Sequence, residues 1–238
     1  MYRLVNKVFE RLQLETNRQK PEQVLSQNPF ITIARDPGSG GKPIAKLIAR
    51  KLEFKFYDEA LIEAIAKSAK RRKQIIAQVD EKSRNVIEDL VHNLFNPNYV
   101  SDETYIKHLV DATLAIAHKG KSVIVGRGTN FIAPAADGLH ILVTAPREIR
   151  IKRAIKFEKV TKKKALSIID KVSKEREAFV SQYFGKDYSD PAYYDLIVNT
   201  EFFDLEMASD LIITAFRKKF PTVSEMVKTR IKKTGNLY

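Results

Sequence analysis

The stretch that most constrains this chain is Phe30–Lys51, FITIARDPGSGGKPIAKLIARK. A β-branched run, Ile31-Thr32-Ile33, enters a glycine cluster, Gly38-Ser39-Gly40-Gly41, with Lys42 directly after it. Beyond it Ile44, Leu47, Ile48 and Leu52 fall at i, i+3, i+4 and i+8, the spacing of one helix face. Strand, glycine loop, lysine and helix in this order suit phosphate: glycines let backbone N–H groups crowd around its oxygens, and the helix N-terminus adds its positive end. The spacing departs from G-x-x-x-x-G-K-[ST] in two places, with Asp36 at the first glycine and Pro43 at the hydroxyl. Proline suits the first helical position, where its missing N–H is no loss, but it offers magnesium no hydroxyl. Taken alone, the stretch also reads as a glycine-rich turn ahead of a helix.

The rest of the chain repeats the alternation. Apolar runs predict strands at 31–34, 54–57, 122–126, 139–144 and 194–199, with helical patterns between them. Such a chain forms a parallel sheet sandwiched by helices. Phe54–Tyr57 ends on Asp58, ahead of a helix with Leu61, Ile62, Ile65, Ala66 and Ala69 on its inner face. Asp58 reads equally as that helix's N-cap and as a ligand contact at a strand's C-terminal end. Residues 70–100 are helical and irregular; a long helix then carries Ile106, Leu109, Val110, Thr113, Leu114 and Ala117 and closes at Gly120. Ser122–Gly128 is a buried strand that delivers Arg127 between two glycines. Glycines there bring backbone close to a ligand and a forked guanidinium matches phosphate, although a tight turn with a surface arginine also fits.

At 238 residues and 44% hydrophobic, the chain fits one large domain, or one domain with a helical insertion. No apolar run approaches bilayer-crossing length and MYRLVNKVFERL is too polar for a signal peptide, so a soluble cytoplasmic protein is expected. The absence of cysteine excludes disulfides and thiolate chemistry, and His92, His108, His118 and His140 lack metal-ligand spacing. The net charge of +13 invites a nucleic-acid partner, though nucleotide binding also collects Lys and Arg. The charge concentrates at Lys70–Lys73, Arg147–Lys164, Arg217–Lys219 and Lys228–Lys233. Residues 1–28 read as an amphipathic helix and linker appended to the core, and 217–238 as a basic tail.

Phosphoryl transfer needs a cradle for the donor's phosphates, cations on the moving group, and a pocket holding the acceptor in line. Gly38–Lys42 offer the cradle, and Asp58 and Arg127 an acceptor pocket drawn from two other strand ends. Arg150 and Arg153 share one face of the helix from Arg147, at i and i+3, and Arg176 lies on the following helix, 165–180. Singly, each arginine is most simply a solvated helix cation; jointly they flank a polar segment of the kind that closes over a site and excludes water.

In order along the chain, ITIARDPGSGGKPIAKLIARKL, FYDEALIEAIA, VIVGRG, ILVTAP with its arginine-bearing helix, KERE and GKDYSDPAYYDLIVNT resemble the cytidylate kinase-like family of P-loop nucleoside monophosphate kinases. The likeness covers roughly residues 30–216. It implies a three-layer α/β/α P-loop NTPase fold with a five-stranded parallel sheet, in a kinase domain over 29–216 with a nucleoside-monophosphate-binding insertion at about 58–105 and a lid at about 156–192. It implies transfer of the ATP γ-phosphate, with Mg²⁺, to a pyrimidine acceptor, CMP or dCMP. Residue by residue, Gly38, Ser39, Gly40, Gly41 and Lys42 would hold the ATP phosphates, and Arg127 the acceptor's monophosphate. Lys42, Arg150, Arg153 and Arg176 would act on the transferring group. Two positions depart from the family's pattern: Gly128 stands where those kinases carry an aspartate that helps hold the nucleotide, and Pro43 where they carry a hydroxyl.

Other readings keep or abandon this chemistry. A degenerate, regulatory nucleotide binder and a small-molecule kinase of other specificity share the fold. Gly38-Ser39-Gly40 followed by Asp58 mimics a dinucleotide fingerprint, but Pro43 replaces its third glycine and Lys42 has no role there. A nucleic-acid binder would use the +13 charge and lose affinity steeply with salt, but no nucleic-acid motif accompanies that charge.

Overall fold

The computed structural model describes residues 28–78, 102–133 and 137–221. The helix expected within 1–28, residues 79–100 of the irregular helical stretch 70–100, and 222–238 of the basic tail expected over 217–238 lie outside the described residues; 217–219 are not tail but the last turn of the helix Leu205–Lys219. Five strands are present: β1 Phe30–Arg35, β2 Lys55–Tyr57, β3 Ser122–Val125, β4 Gly138–Thr144 and β5 Leu196–Asn199. Between and after them run α1 Gly41–Leu52, α2 Glu59–Lys67, α3 Ala69–Ile76, α4 Asp102–Lys119, α5 Thr129–Ile132, α6 Arg147–Glu158, α7 Lys162–Phe184 and α8 Leu205–Lys219. The sheet order is β2-β3-β1-β4-β5 and every pairing is parallel, with Ile33 opposite Val125 on one side and Ile141 on the other.

The alternation of side chains along each strand divides the core in two. Ile31, Ile33, Val123, Val125, Leu139, Ile141 and Val143 point to one face, where α1 and α8 cover them with Ile44, Ile48, Ile212 and Phe216. Phe30 and Ile124 point to the other, against α2, α4, α5 and the end of α7. Burial on both faces explains why the central strands β1, β3 and β4 read as largely apolar runs, with Thr32 and His140 bonded to each other. A third, smaller cluster (Ile151, Ala154, Ala165 and Ile169) joins α6 to α7 as a helical hairpin with its own seam.

Caps set the helix ends. Asp58 accepts from Leu61 N–H at the head of α2, and Thr161 accepts from Lys164 N–H at the head of α7. Gly120 (φ 65°) and Gly185 (φ 62°) end α4 and α7 in the left-handed conformation. The expected helix at 165–180 is therefore longer at both ends, because Thr161 and Gly185 are its true limits. Pro43 is the third residue of α1 and not the first, since the helix starts at Gly41. The position costs nothing, because the first four N–H groups of a helix have no intrahelical acceptor.

With β1 central, the chain moves from it out to β2, returns to β3, then crosses to β4 on the far side. The C-terminal end of β1 is thus where the direction of winding reverses, the place where open α/β sheets bind ligands. All five strand ends deliver polar groups there: the loop after Arg35, Asp58 after β2, Arg127 after β3, α6 after β4 and Thr200 after β5.

Candidate active site

The loop after β1 is shaped from within. Ser39 is fully buried and directs both its N–H (3.2 Å) and its hydroxyl (2.8 Å) to the carbonyl of Asp36. Ser39 therefore forms the turn, and neither donor faces a ligand. Gly38 and Gly40 sit at φ 81° and 84°, where a side chain would be strained. A Cβ on Gly38 would stand 2.8 Å from the carbonyl oxygen of Arg150. Gly40 is the N-cap of α1 and supplies no side-chain cap, so the first N–H groups of that helix are left for another acceptor. The Asp36 carboxylate accepts from the Thr144 hydroxyl at 2.6 Å, which turns it toward β4.

The loop is also clasped from behind. The Thr200 hydroxyl donates to Ser39 O at 2.8 Å, and Arg153 donates to that same hydroxyl at 2.8 Å, to Thr200 O at 2.6 Å and to Ser39 O at 3.3 Å. Arg153 is thus a buttress in this arrangement. Its neighbour on α6, Arg150, packs its backbone and Cβ on Gly38, while its Nε and Nη1 are buried without a hydrogen-bond partner among the described residues. Buried guanidinium nitrogens without an acceptor are costly, and beside the glycine loop these two are placed to meet an anion. Lys42, half exposed, pairs with Asp58 at 2.7 Å. That lysine holds the Asp58 carboxyl below its ordinary value, and the N–H of Leu61 assists. Asp58 is therefore both cap and ion-pair partner.

On the other side of Arg35 lies a cavity of about 410 Å³. Arg35, Arg127 and Arg176 line it, together with Glu59, Asn130, Tyr188 and the ring of Phe179. Arg35 pairs with Glu59, and Arg127 pairs with Glu63 and, at 3.5 Å, with Glu59. Arg176 donates to the carbonyl of Arg35 at 2.7 Å. Burial alone would raise the Glu59 carboxyl, but Arg35, Arg127 and Arg176 together outweigh it and hold the group below the usual glutamate range. Burial, then the charge of Arg35, pushes Arg176 down from the ordinary arginine value. Burial raises the phenol of Tyr188, which stays protonated.

Residues 30–201 match the profile of the cytidylate kinase-like family. The chain belongs to that family. It is 30% identical over 195 residues to the cytidylate kinase of Archaeoglobus fulgidus, covering 79% of this chain and 95% of the relative. It is 27% identical over 193 residues to that of Staphylothermus marinus, covering 80% and 97%. The crystal structure of an uncharacterized protein from Eubacterium ventriosum matches with a TM-score of 0.59 at 23% identity, over 79% of this chain and 97% of the other, a likeness of fold. The protein is a kinase of the cytidylate kinase-like family, an ATP-dependent phosphotransferase.

For this cytidylate kinase-like chain, Gly38, Gly40, Gly41 and Lys42 meet at one loop with Arg150 against it, while Arg127 and Arg176 meet around the cavity. Asp58 stands on the loop side, on Lys42. Arg35 and Glu59 escaped the sequence reading. Arg35 left a signal, a charge closing a strand that is otherwise apolar, since a buried guanidinium demands a partner. Glu59 left none beyond its place at a helix start, which any acidic residue suits. Among the described residues no group of three or more His, Cys, Asp or Glu converges to hold a metal ion, and no helix is long and apolar enough to cross a membrane.

Proposed function

We propose that the chain transfers the γ-phosphate of ATP to the phosphate of a pyrimidine nucleoside monophosphate, CMP or dCMP. The observation that carries this reading is the division of cations into two groups on either side of Arg35. Lys42 and Arg150 attend the glycine loop, and Arg35, Arg127 and Arg176 surround a cavity of about 410 Å³. The names of the relatives support the acceptor class.

In this reading the N–H groups at the head of α1 and Lys42 hold the donor's phosphates, and Lys42 leaves Asp58 to do so. Arg150 neutralises charge on the moving phosphoryl group, worth about 10²–10³ in rate for one well-placed donor. The bond between the γ-phosphorus and its bridging oxygen breaks as an oxygen of the acceptor phosphate bonds to that phosphorus. The α6–α7 hairpin serves as the lid, with Arg176 arriving from it. The fit for Mg²⁺ is through the nucleotide, because Pro43 has no hydroxyl, Asp36 is engaged by Thr144, and Asp58 still caps α2 through the N–H of Leu61 after Lys42 leaves it. Such an ion keeps several waters and needs few protein ligands.

One observation favours a second reading, a kinase of another small acceptor. Gly128 sits at φ 63°, and a Cβ there would overlap the ring of Phe184. The aspartate that cytidylate kinases place there has no room.

A coupled phosphotransfer assay over the common nucleoside monophosphates and a panel of small hydroxy acids, with ATP and Mg²⁺, separates the two. Turnover of CMP or dCMP that falls about 10²–10³-fold in Lys42→Ala supports the first reading. Turnover confined to a non-nucleotide acceptor establishes the second, and turnover indifferent to Lys42→Ala overturns the assignment of the loop.

A further inference from the structure

Arg127 occupies an expensive position. Its backbone is left-handed at φ 54°, a conformation that costs a residue with a Cβ of order 1 kcal/mol or more and persists only where the surroundings over-determine it. Three groups do so here. Glu63 and Glu59 take its Nη2, and the ring of Phe179 lies 5.6 Å from its guanidinium carbon. Its Nε is buried without a hydrogen-bond partner among the described residues, beside the cavity it lines.

Arg35 is held in a comparable way. It is 9% exposed, its Nη2 meets Glu59, and its Nη1 fills the space where a side chain at position 126 would begin. Gly126 is glycine both for its φ of 84° and for this guanidinium. Left to themselves, Arg35, Arg127 and Arg176 would repel one another across the cavity. Glu59 reaches two of them from a single carboxylate.

We infer that Glu59, with Glu63 behind it, is the positioning residue of the acceptor site. It draws Arg35 and Arg127 from two separate strand ends onto one anion, leaving the Nε of Arg127 free for the acceptor's anionic group. The inference rests on the reading of the cavity as the acceptor site. The chemistry it names is a phosphate monoester. Glu59 itself touches neither the donor nor the moving phosphoryl group; it acts through the two arginines.

The test is steady-state kinetics and calorimetric binding on the full chain with Glu59→Gln, which keeps the shape and removes the charge. The expected result is an acceptor KM raised about tenfold or more with ATP KM within twofold of wild type, and weaker binding of inorganic phosphate. Glu59→Asp should recover part of the loss. Gly126→Ala, which displaces Arg35, should reproduce the acceptor effect. An unchanged or lowered acceptor KM in Glu59→Gln, or equal rises for ATP and acceptor, overturns the inference. If Glu59→Gln does not fold, Glu63→Gln gives the same separation of acceptor from ATP through Arg127 alone. Phosphate binding keeps the two readings apart. If the wild-type chain phosphorylates no monophosphate while Glu59→Gln still weakens phosphate binding, the nucleoside monophosphate reading is retired and the cradle kept; unchanged phosphate affinity in Glu59→Gln retires the cradle.

Discussion

Arg150 and Arg153 show how two residues of one type, three positions apart on one helix face, come to different uses. Arg153 is satisfied by carbonyl and hydroxyl oxygens of Ser39 and Thr200, so its charge serves the loop's shape. Arg150 keeps buried, unpartnered nitrogens beside Gly38. Thr200→Val should therefore loosen the loop without touching a ligand: ATP KM should rise several-fold while acceptor KM stays within twofold, and unfolding free energy should drop by about 1–3 kcal/mol in denaturant titration. Glu59 makes a prediction in pH. Its folded carboxyl lies below the ordinary glutamate value of 4.5, so its stabilising contribution is complete above that pH and is lost as pH falls through the folded value. Glu59→Gln should accordingly be less stable than wild type at neutral pH, with the gap closing below about pH 4.5 in acid denaturation followed by circular dichroism. Lys42 was legible in the sequence because it closes a glycine cluster ahead of a helix, and Asp58 and Arg127 because they stand at or just past the ends of apolar runs. Arg35 and Glu59 were not, because their pairing spans 24 positions and is decided only when β1 and α2 meet. Spacing also placed Arg150 and Arg153 together but carried no information on which would find carbonyl partners.

The strands were the most readable elements. A sheet covered on both faces demands largely apolar strands, and Ile31, Ile33, Val123–Val125 and Ile141–Val143 supply them, the buried polar exceptions Thr32 and His140 being hydrogen-bonded to each other. The ends were less readable, because caps act one residue at a time: α7 runs from Thr161 to Gly185, beyond the apolar pattern that announced it. The α6–α7 hairpin has a seam of its own, Ile151, Ala154, Ala165 and Ile169, supplemented by the Arg147–Asp170 pair at 2.8 Å. Small separate seams open before the main core does. Ile169→Ala removes a fully buried side chain from that seam and should speed amide exchange in 150–172 at least tenfold, leaving β1, β3 and β4 protected as before. Exchange that rises equally throughout the sheet would mean that the hairpin does not open on its own. Catalytic turnover should suffer more than ATP affinity in this variant, as expected when closure and not binding is impaired.

For the molecule as a whole, the +13 charge and the site make competing demands on any polyanion. A mononucleotide held by a few directed contacts in a partly enclosed cleft should lose affinity only modestly between 50 and 200 mM salt, whereas a nucleic-acid duplex neutralising several phosphates would lose about 10³-fold or more. Titration of CMP and of a short duplex over that range measures which use the charge serves; a steep salt slope for the duplex with none for CMP would assign the surface cations to nucleic acid. The Thr200 clasp bears on how such a molecule is made. The phosphate loop is complete as sequence by Lys42, yet its carbonyl at Ser39 is fixed by a residue 161 positions later. During synthesis from the N-terminus, β1 and its loop emerge early and must wait for nearly the whole domain. Nucleotide affinity should thus arise abruptly as β5 joins the sheet, which keeps half-made chains from holding nucleotides that they cannot use.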